Sequence, residues 1–206
     1  MESRKKYITD NDRTVKTLVI TASVMFGYVL FWALVLKLGR EDMLVRNHTN
    51  LSQLTLTERL MWDLIPFNYR GDDYNIKLQM LTTLLNCFVF APFGVAFSYL
   101  LGKKGGKGVV LGAMLNFGVV FAIESIQLFT MFGNFATEDF ITNMAGYFIG
   151  VALYYVLFKR FSNKQNVVFF CIINVIVAAI FVYSAISTIG ALDVIVELLS
   201  KNNYAF

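Results

Sequence analysis

The stretch "VVFAIESIQLFTMF", residues 119–132, decides how the rest of the chain is read. It is apolar enough to lie in a bilayer, yet Glu124 and Gln127 stand among its aliphatic and aromatic side chains. A carboxyl group at bilayer depth costs on the order of 3 kcal/mol on insertion scales, so an intramembrane acid marks a functional-site candidate and calls for a partner at its own level. Which partners it has depends on what crosses the membrane beside it.

The surroundings are those of an integral membrane protein. Of the 206 residues, 57% are hydrophobic, 16% aromatic and only 16% charged. Mean hydropathy is +0.60, well above that of a soluble domain of this length. The net charge of +4 is gathered in particular links, so it reports topology, and no nucleic-acid partner is expected. Cys87 and Cys171 both fall inside apolar runs, where a thiol behaves as a small hydrophobe and implies no disulfide framework. The first apolar run begins near Leu18 and lasts about 20 residues with no small-residue cleavage site after it, which reads as a retained anchor rather than a signal peptide.

A helix needs about 20 apolar residues to cross the hydrocarbon core, and five runs meet that need: 17–38, 79–101, 108–131, 140–158 and 167–190. The expected fold class is all-α: a polytopic membrane helix bundle of five spans, one domain over residues 1–206, multi-pass in the plasma membrane of a bacterial cell. Basic residues orient it. Arg4, Lys5, Lys6, Arg13 and Lys16 precede span one, Lys103, Lys104 and Lys107 follow span two, and Lys159, Arg160 and Lys164 follow span four. The 132–139 link has no basic residue and the tail after span five has only Lys201. Lysine and arginine accumulate on the inside, so the N-terminus is placed in and the C-terminus out.

The first outer loop, 39–77, is too long to be a bare connection. Within "TLTERLMWDLIPF", residues 55–67, Thr55 and Glu58 have capping-box spacing and Pro66 is a stop, which predicts a short helix over Thr57–Leu64 lying at the interface with Trp62 at headgroup level. The same loop holds "NHT" at Asn47 and "NLS" at Asn50, sequons that matter only in a eukaryotic secretory pathway.

With the orientation fixed, polar residues can be placed by depth. Glu124 and Gln127 fall in the outer third of span three, Glu138, Asp139 and Asn143 in the first outer turns of span four, and Asn86 about two turns below the outer end of span two. At 100° per residue, Asp139, Asn143, Gly146 and Gly150 share one face within roughly 60°. "GYFIG", 146–150, is a small-xxx-small pattern that admits another helix closely. Amides in such places often serve only as interhelical glue. A carboxylate is a poorer glue, because its pKa must rise or it must find a cation; two neighbouring acids predict a neutral Glu124, hydrogen-bonded to Gln127 or Asn143. Glu124, Asp139, Gln127 and Asn143 are oxygen donors that suit a hard divalent cation, which stays open as an alternative; no other cofactor is implied. His48, the lone histidine, lacks the neighbours of a zinc site or a triad.

Four motifs in order, "DLIPF" at 63–67, "NCFVFAPFG" at 86–94, "ESIQ" at 124–127 and "EDFITNMAG" at 138–146, resemble the VanZ-like membrane proteins, named after a bacterial protein associated with resistance to the glycopeptide teicoplanin. The resemblance spans residues 60–155. It implies structural-motif positions at Asp63, Pro66, Phe67, Phe90, Pro92, Gly94, Gly146 and Gly150, and a ligand-binding set of Asn86, Glu124, Gln127, Asp139 and Asn143. The loop Asn of the family is Asp63 here. The Arg and first Asp that precede the acidic cluster in the family are missing, with Gly133 or Asn134 and Ala136 in their places, so a counter-ion for Glu124 is expected from Arg59 or Arg70 of the outer loop.

Three readings stay open. The resemblance implies lowered susceptibility to glycopeptide or lipoglycopeptide antibiotics, through an outward polar pocket that binds an antibiotic's lipid tail or a lipid-linked cell-wall precursor among membrane lipids. A membrane enzyme on a lipid-linked substrate would use Glu124 and Asp139 as acid–base groups or metal ligands. An assembly or regulatory subunit would use the cluster only to lock the bundle, and no oligomeric state is implied. The topology itself is testable: alkaline phosphatase fused after Phe206 should be active, and an inactive fusion together with a working cytoplasmic reporter at that site would reverse every depth assignment.

Overall fold

The computed structural model describes residues 2–62, 64–67, 73–102 and 105–201. Among the described residues there are nine α-helices and no strand: α1 Glu2–Leu34, α2 Glu41–Leu51, α3 Leu56–Trp62, α4 Asp73–Val89, α5 Ala91–Leu101, α6 Gly106–Thr130, α7 Thr137–Val156, α8 Asn163–Gly190 and α9 Leu192–Ser200. Five stretches are long and apolar enough to cross a membrane: Arg13–Leu34, Gln79–Leu101, Gly106–Thr130, Thr137–Arg160 and Asn163–Gly190. They coincide with the five runs read from hydropathy. At most 33% of any span is buried, and the side chains left outside are Val24, Met114, Phe121, Ile172, Val175 and others like them. Such an exterior is solvated by lipid tails.

The all-α bundle holds, with local differences that have physical causes. Span one ends at Leu34 rather than near residue 38, because Lys37, Leu38 and Gly39 turn left-handed at φ 49°, 62° and 70°. Span two is two helices. Pro92 has no N–H to give and its ring opposes the carbonyl four residues back, so α4 stops at Val89 and α5 restarts at Ala91 with Pro92 in its first turn. The loop helix α3 is capped as expected: the Thr55 N–H donates to Glu58 Oε2 at 2.8 Å and the Glu58 N–H to Thr55 Oγ1 at 3.3 Å. It is shorter than the expected Thr57–Leu64, ending at Trp62. Two helices were not anticipated, α2 and α9. Each is amphipathic, with Leu44, His48 and Leu51 buried on α2 and Ile195 and Leu198 on α9, and the two pack on each other.

α7 lies at the centre of the packing, against α4, α5 and α6, while α1 pairs with α8 and joins the rest through α5. The α4–α5 rod meets α7 backbone to backbone. A Cβ added at Gly146 would lie 2.3 Å from the Cys87 carbonyl oxygen, and one added at Gly150 would lie 2.0 Å from that of Ala91. Gly94 faces the same seam, 2.1 Å from the Tyr147 carbonyl by the same measure. At the opposite end from the basic links, Leu44 of α2, Phe132 of the α6–α7 link and Ile195 and Leu198 of α9 close over Leu30, Trp32, Val35 and Leu36. The bundle is capped at that end.

The seam makes a quantitative expectation. Gly150→Val should cost about 1–3 kcal/mol through forced separation of α7 from α5, read as a lower melting temperature of the purified protein. Gly118→Val, where a Cβ meets nothing within 4 Å, should be neutral or slightly stabilising, since glycine is the poorer helix former. Equal effects at the two positions would mean that the seam is not tight.

Candidate functional site

Three helix ends meet at the capped end: the C-termini of α1 and α6 and the N-terminus of α7. The last carbonyls of a helix lack intrahelical donors and carry the negative end of its dipole. Leu34, the last residue of α1, resolves this with two donors, Lys37 Nζ at 2.7 Å and Gln127 Nε2 at 2.8 Å. Gly133 lies alongside them: a Cβ there would sit 3.0 Å from Gln127 Nε2 and 3.3 Å from Lys37 Nζ. The Phe132 carbonyl accepts from Asn47 Nδ2 at 2.9 Å, and the Leu128 carbonyl from Arg59 Nη1 at 3.4 Å.

The acids face this corner from α6 and α7. Glu124 Oε2 accepts the Ala136 N–H at 3.0 Å, which anchors the entry to α7. Asp139 Oδ1 accepts from Asn86 Nδ2 at 2.7 Å and so joins α7 to α4. Glu138 accepts the Phe67 N–H at 3.0 Å and Thr83 Oγ1 at 3.4 Å. Acids in a first helical turn also favour the positive end of the α7 dipole. Lys37, three residues beyond the end of span one, supplies a cation to this group: burial pushes its ammonium below the ordinary lysine range, and the attraction of Asp139 and then of Glu124 opposes that shift. Of the four described non-glycine residues with left-handed φ, Lys37, Phe67 and Met131 border the corner, while the Leu38 carbonyl turns to Ser187 of α8. Each such residue costs about 1–3 kcal/mol and persists only where its surroundings impose it, a pattern concentrated at functional sites.

A protein-family model described as VanZ/LLP1 matches residues 23–159. The chain belongs to the VanZ/LLP1 family. No curated protein sequence and no solved structure matches it. The match is wider than the 60–155 span of the motif resemblance, and it takes in Lys37 and both acids.

Within this VanZ/LLP1 chain, Glu124, Gln127 and Asn143 are buried at 2%, 7% and 4% exposure, and Arg59 at 5%. Gln127 turns its amide to Leu34 rather than to Glu124, which replaces the expected acid–amide pair. Asn143 lies buried one turn below Asp139. Phe90, Pro92, Gly94, Gly146 and Gly150 sit in or beside the α4–α5–α7 seam, and Pro66 and Phe67 in the turn after α3. Asp63 and Arg70 lie outside the described residues. Sequence reasoning missed Lys37, since it fell in the last residues of an apolar run; the signal was a lysine closing that run. Among the described residues no three His, Cys, Asp or Glu are grouped to hold a metal ion, so the divalent-cation alternative gains no donor set from the geometry.

Two cavities stand out among the described residues. One of about 500 Å³ opens between α4 and α7 at the capped end, with Phe67, Met80, Leu81, Leu84, Ile141 and Ala145 as apolar walls and Thr83 and Thr142 as its polar groups. The other, about 390 Å³, lies among α1, α5 and α8, lined by Val19, Phe26, Phe93, Phe170 and similar residues. It touches none of the charged groups.

Lys37 titrates in a stated direction. In competitive reductive methylation, its pH midpoint should lie below that of exposed lysines, and lower still in Asp139→Asn, which removes the stronger attraction. Because the folded pKa is depressed, the unfolded chain binds the extra proton between that value and 10.5, and this group's contribution to stability rises with pH through that window. A Lys37 midpoint equal to that of surface lysines would contradict the burial.

Proposed function

We propose that this chain is a bacterial plasma-membrane protein that lowers susceptibility to glycopeptide or lipoglycopeptide antibiotics by holding an amphiphile at its capped end. The antibiotic's own lipid tail and a lipid-linked wall precursor both have the required form. The observation that carries the reading is the groove between α4 and α7: its apolar walls have acyl-chain character, and its Thr83 hydroxyl donates to Glu138, beside the Asn86–Asp139 pair. A tail in that groove would bring its polar head to the Lys37, Glu124 and Asp139 group. There, hydrogen bonds and charges act in a low dielectric and discriminate more strongly than in water.

Membership of the VanZ/LLP1 family supports the antibiotic endpoint, and the basic links at the uncapped end support an outward-facing site. The acids support binding more than chemistry. Asp139 is engaged by Asn86, and Glu124 by the N–H that starts α7; both are held still rather than poised beside an empty reaction centre.

Expression in a susceptible host tests the reading. The wild-type chain should raise the inhibitory concentration of teicoplanin more than that of vancomycin, which lacks the long acyl tail. Glu124→Gln still accepts the Ala136 N–H through its amide oxygen, so it should insert and accumulate normally while losing most of the protection. Full protection by a well-expressed Glu124→Gln chain would reduce Glu124 to a structural anchor.

A further inference from the structure

Helix α3 carries a charge where its surroundings are apolar. Met61 on this helix, and Leu64 and Ile65 just after it, are 65%, 52% and 70% exposed, whereas Arg59 is 5% exposed. Arg59 Nη1 reaches the Leu128 carbonyl at 3.4 Å, the long limit of a hydrogen bond. Its Nε–H donates to nothing, and among the described residues no carboxylate pairs with it. A guanidinium cannot relieve its burial by losing a proton. It needs an anion, and its planar fork fits an anion with two coplanar oxygens.

We propose that Arg59 is the receptor for the phosphate of a membrane amphiphile. The exposed Met61, Leu64 and Ile65 would sit at the depth where an interfacial helix buries its apolar face, and the anions standing at that level are lipid phosphates. One phosphate oxygen accepts the Nε–H and a second accepts an Nη–H, completing the fork that Leu128 meets only at its edge. This rests on the reading above and adds a phosphate contact at Arg59 beyond the Lys37, Glu124 and Asp139 group, and its test does not use an antibiotic.

The full chain, purified and delipidated in detergent, is titrated with dioleoylphosphatidylglycerol, with dioleoylglycerol as the same tails without phosphate, and with inorganic phosphate. Native mass spectrometry reads retention and thermal unfolding reads stabilisation. The phosphatidylglycerol should be retained about tenfold more than dioleoylglycerol and should raise the melting temperature. Arg59→Gln should lose both effects while melting normally without lipid. Equal stabilisation of the two proteins, or equal retention of the two lipids, overturns the proposal. The same shift with inorganic phosphate alone overturns the lipid as its source. If Arg59→Gln does not fold, Arg59→Lys decides: it keeps the charge but not the fork, so weaker phosphatidylglycerol retention at a normal lipid-free melting temperature supports the site, and unchanged retention overturns it. A wild-type chain that holds phosphatidylglycerol yet gives no antibiotic protection would remove the function proposed above and leave this site standing.

Discussion

The path of α1, α4 and α7 at the capped end follows from one constraint, that a charge removed from water must meet an opposite charge or a hydrogen-bond partner. Lys37, Glu124 and Asp139 satisfy it together, and each also secures a piece of backbone. Lys37 closes α1 through the Leu34 carbonyl, Glu124 fixes the start of α7 through the Ala136 N–H, and Asp139 holds α4 through Asn86. Truncating Lys37 would leave two carboxyl groups in a low dielectric without their cation. The polar group and the chain path are therefore one structure, and neither can be altered alone.

That arrangement needs helices that approach more closely than most side chains permit. The 2.7 Å bond from Asn86 to Asp139 lies about two turns from Gly146, whose missing Cβ lets the Cys87 carbonyl approach. In a membrane there is little hydrophobic gain from pressing helices together, so small residues and interhelical hydrogen bonds supply the association. Here they alternate along a single face of α7: acid, amide, glycine, glycine. The face that binds the neighbouring helix is also the one that lines the site.

The spans were legible because a bilayer demands length and apolarity, which hydropathy measures directly. The α3 cap was legible because Thr55 and Glu58 contact each other locally, and the α7 seam because glycine spacing repeats every four residues. What stayed hidden depends on contacts distant in sequence. Lys37 meets Gln127 and Gly133 across some ninety residues, and nothing near position 37 in the sequence announces them. α9 looked like a tail because its burial comes from α2 and the core beneath it. Gln127 was assigned a nearby acid, whereas the unsatisfied end of another helix competes for its amide and wins.

The interruption of span two at Phe90 gives the groove an unusual wall. α4 packs on α7 and touches α5 at the break, while the half below Pro92 is tied into α1, α6 and α7. An unbroken rod would transmit any outward tilt of its upper turns to the opposite leaflet. A jointed one confines any tilt to the upper half, so the lower half of the bundle keeps its shape.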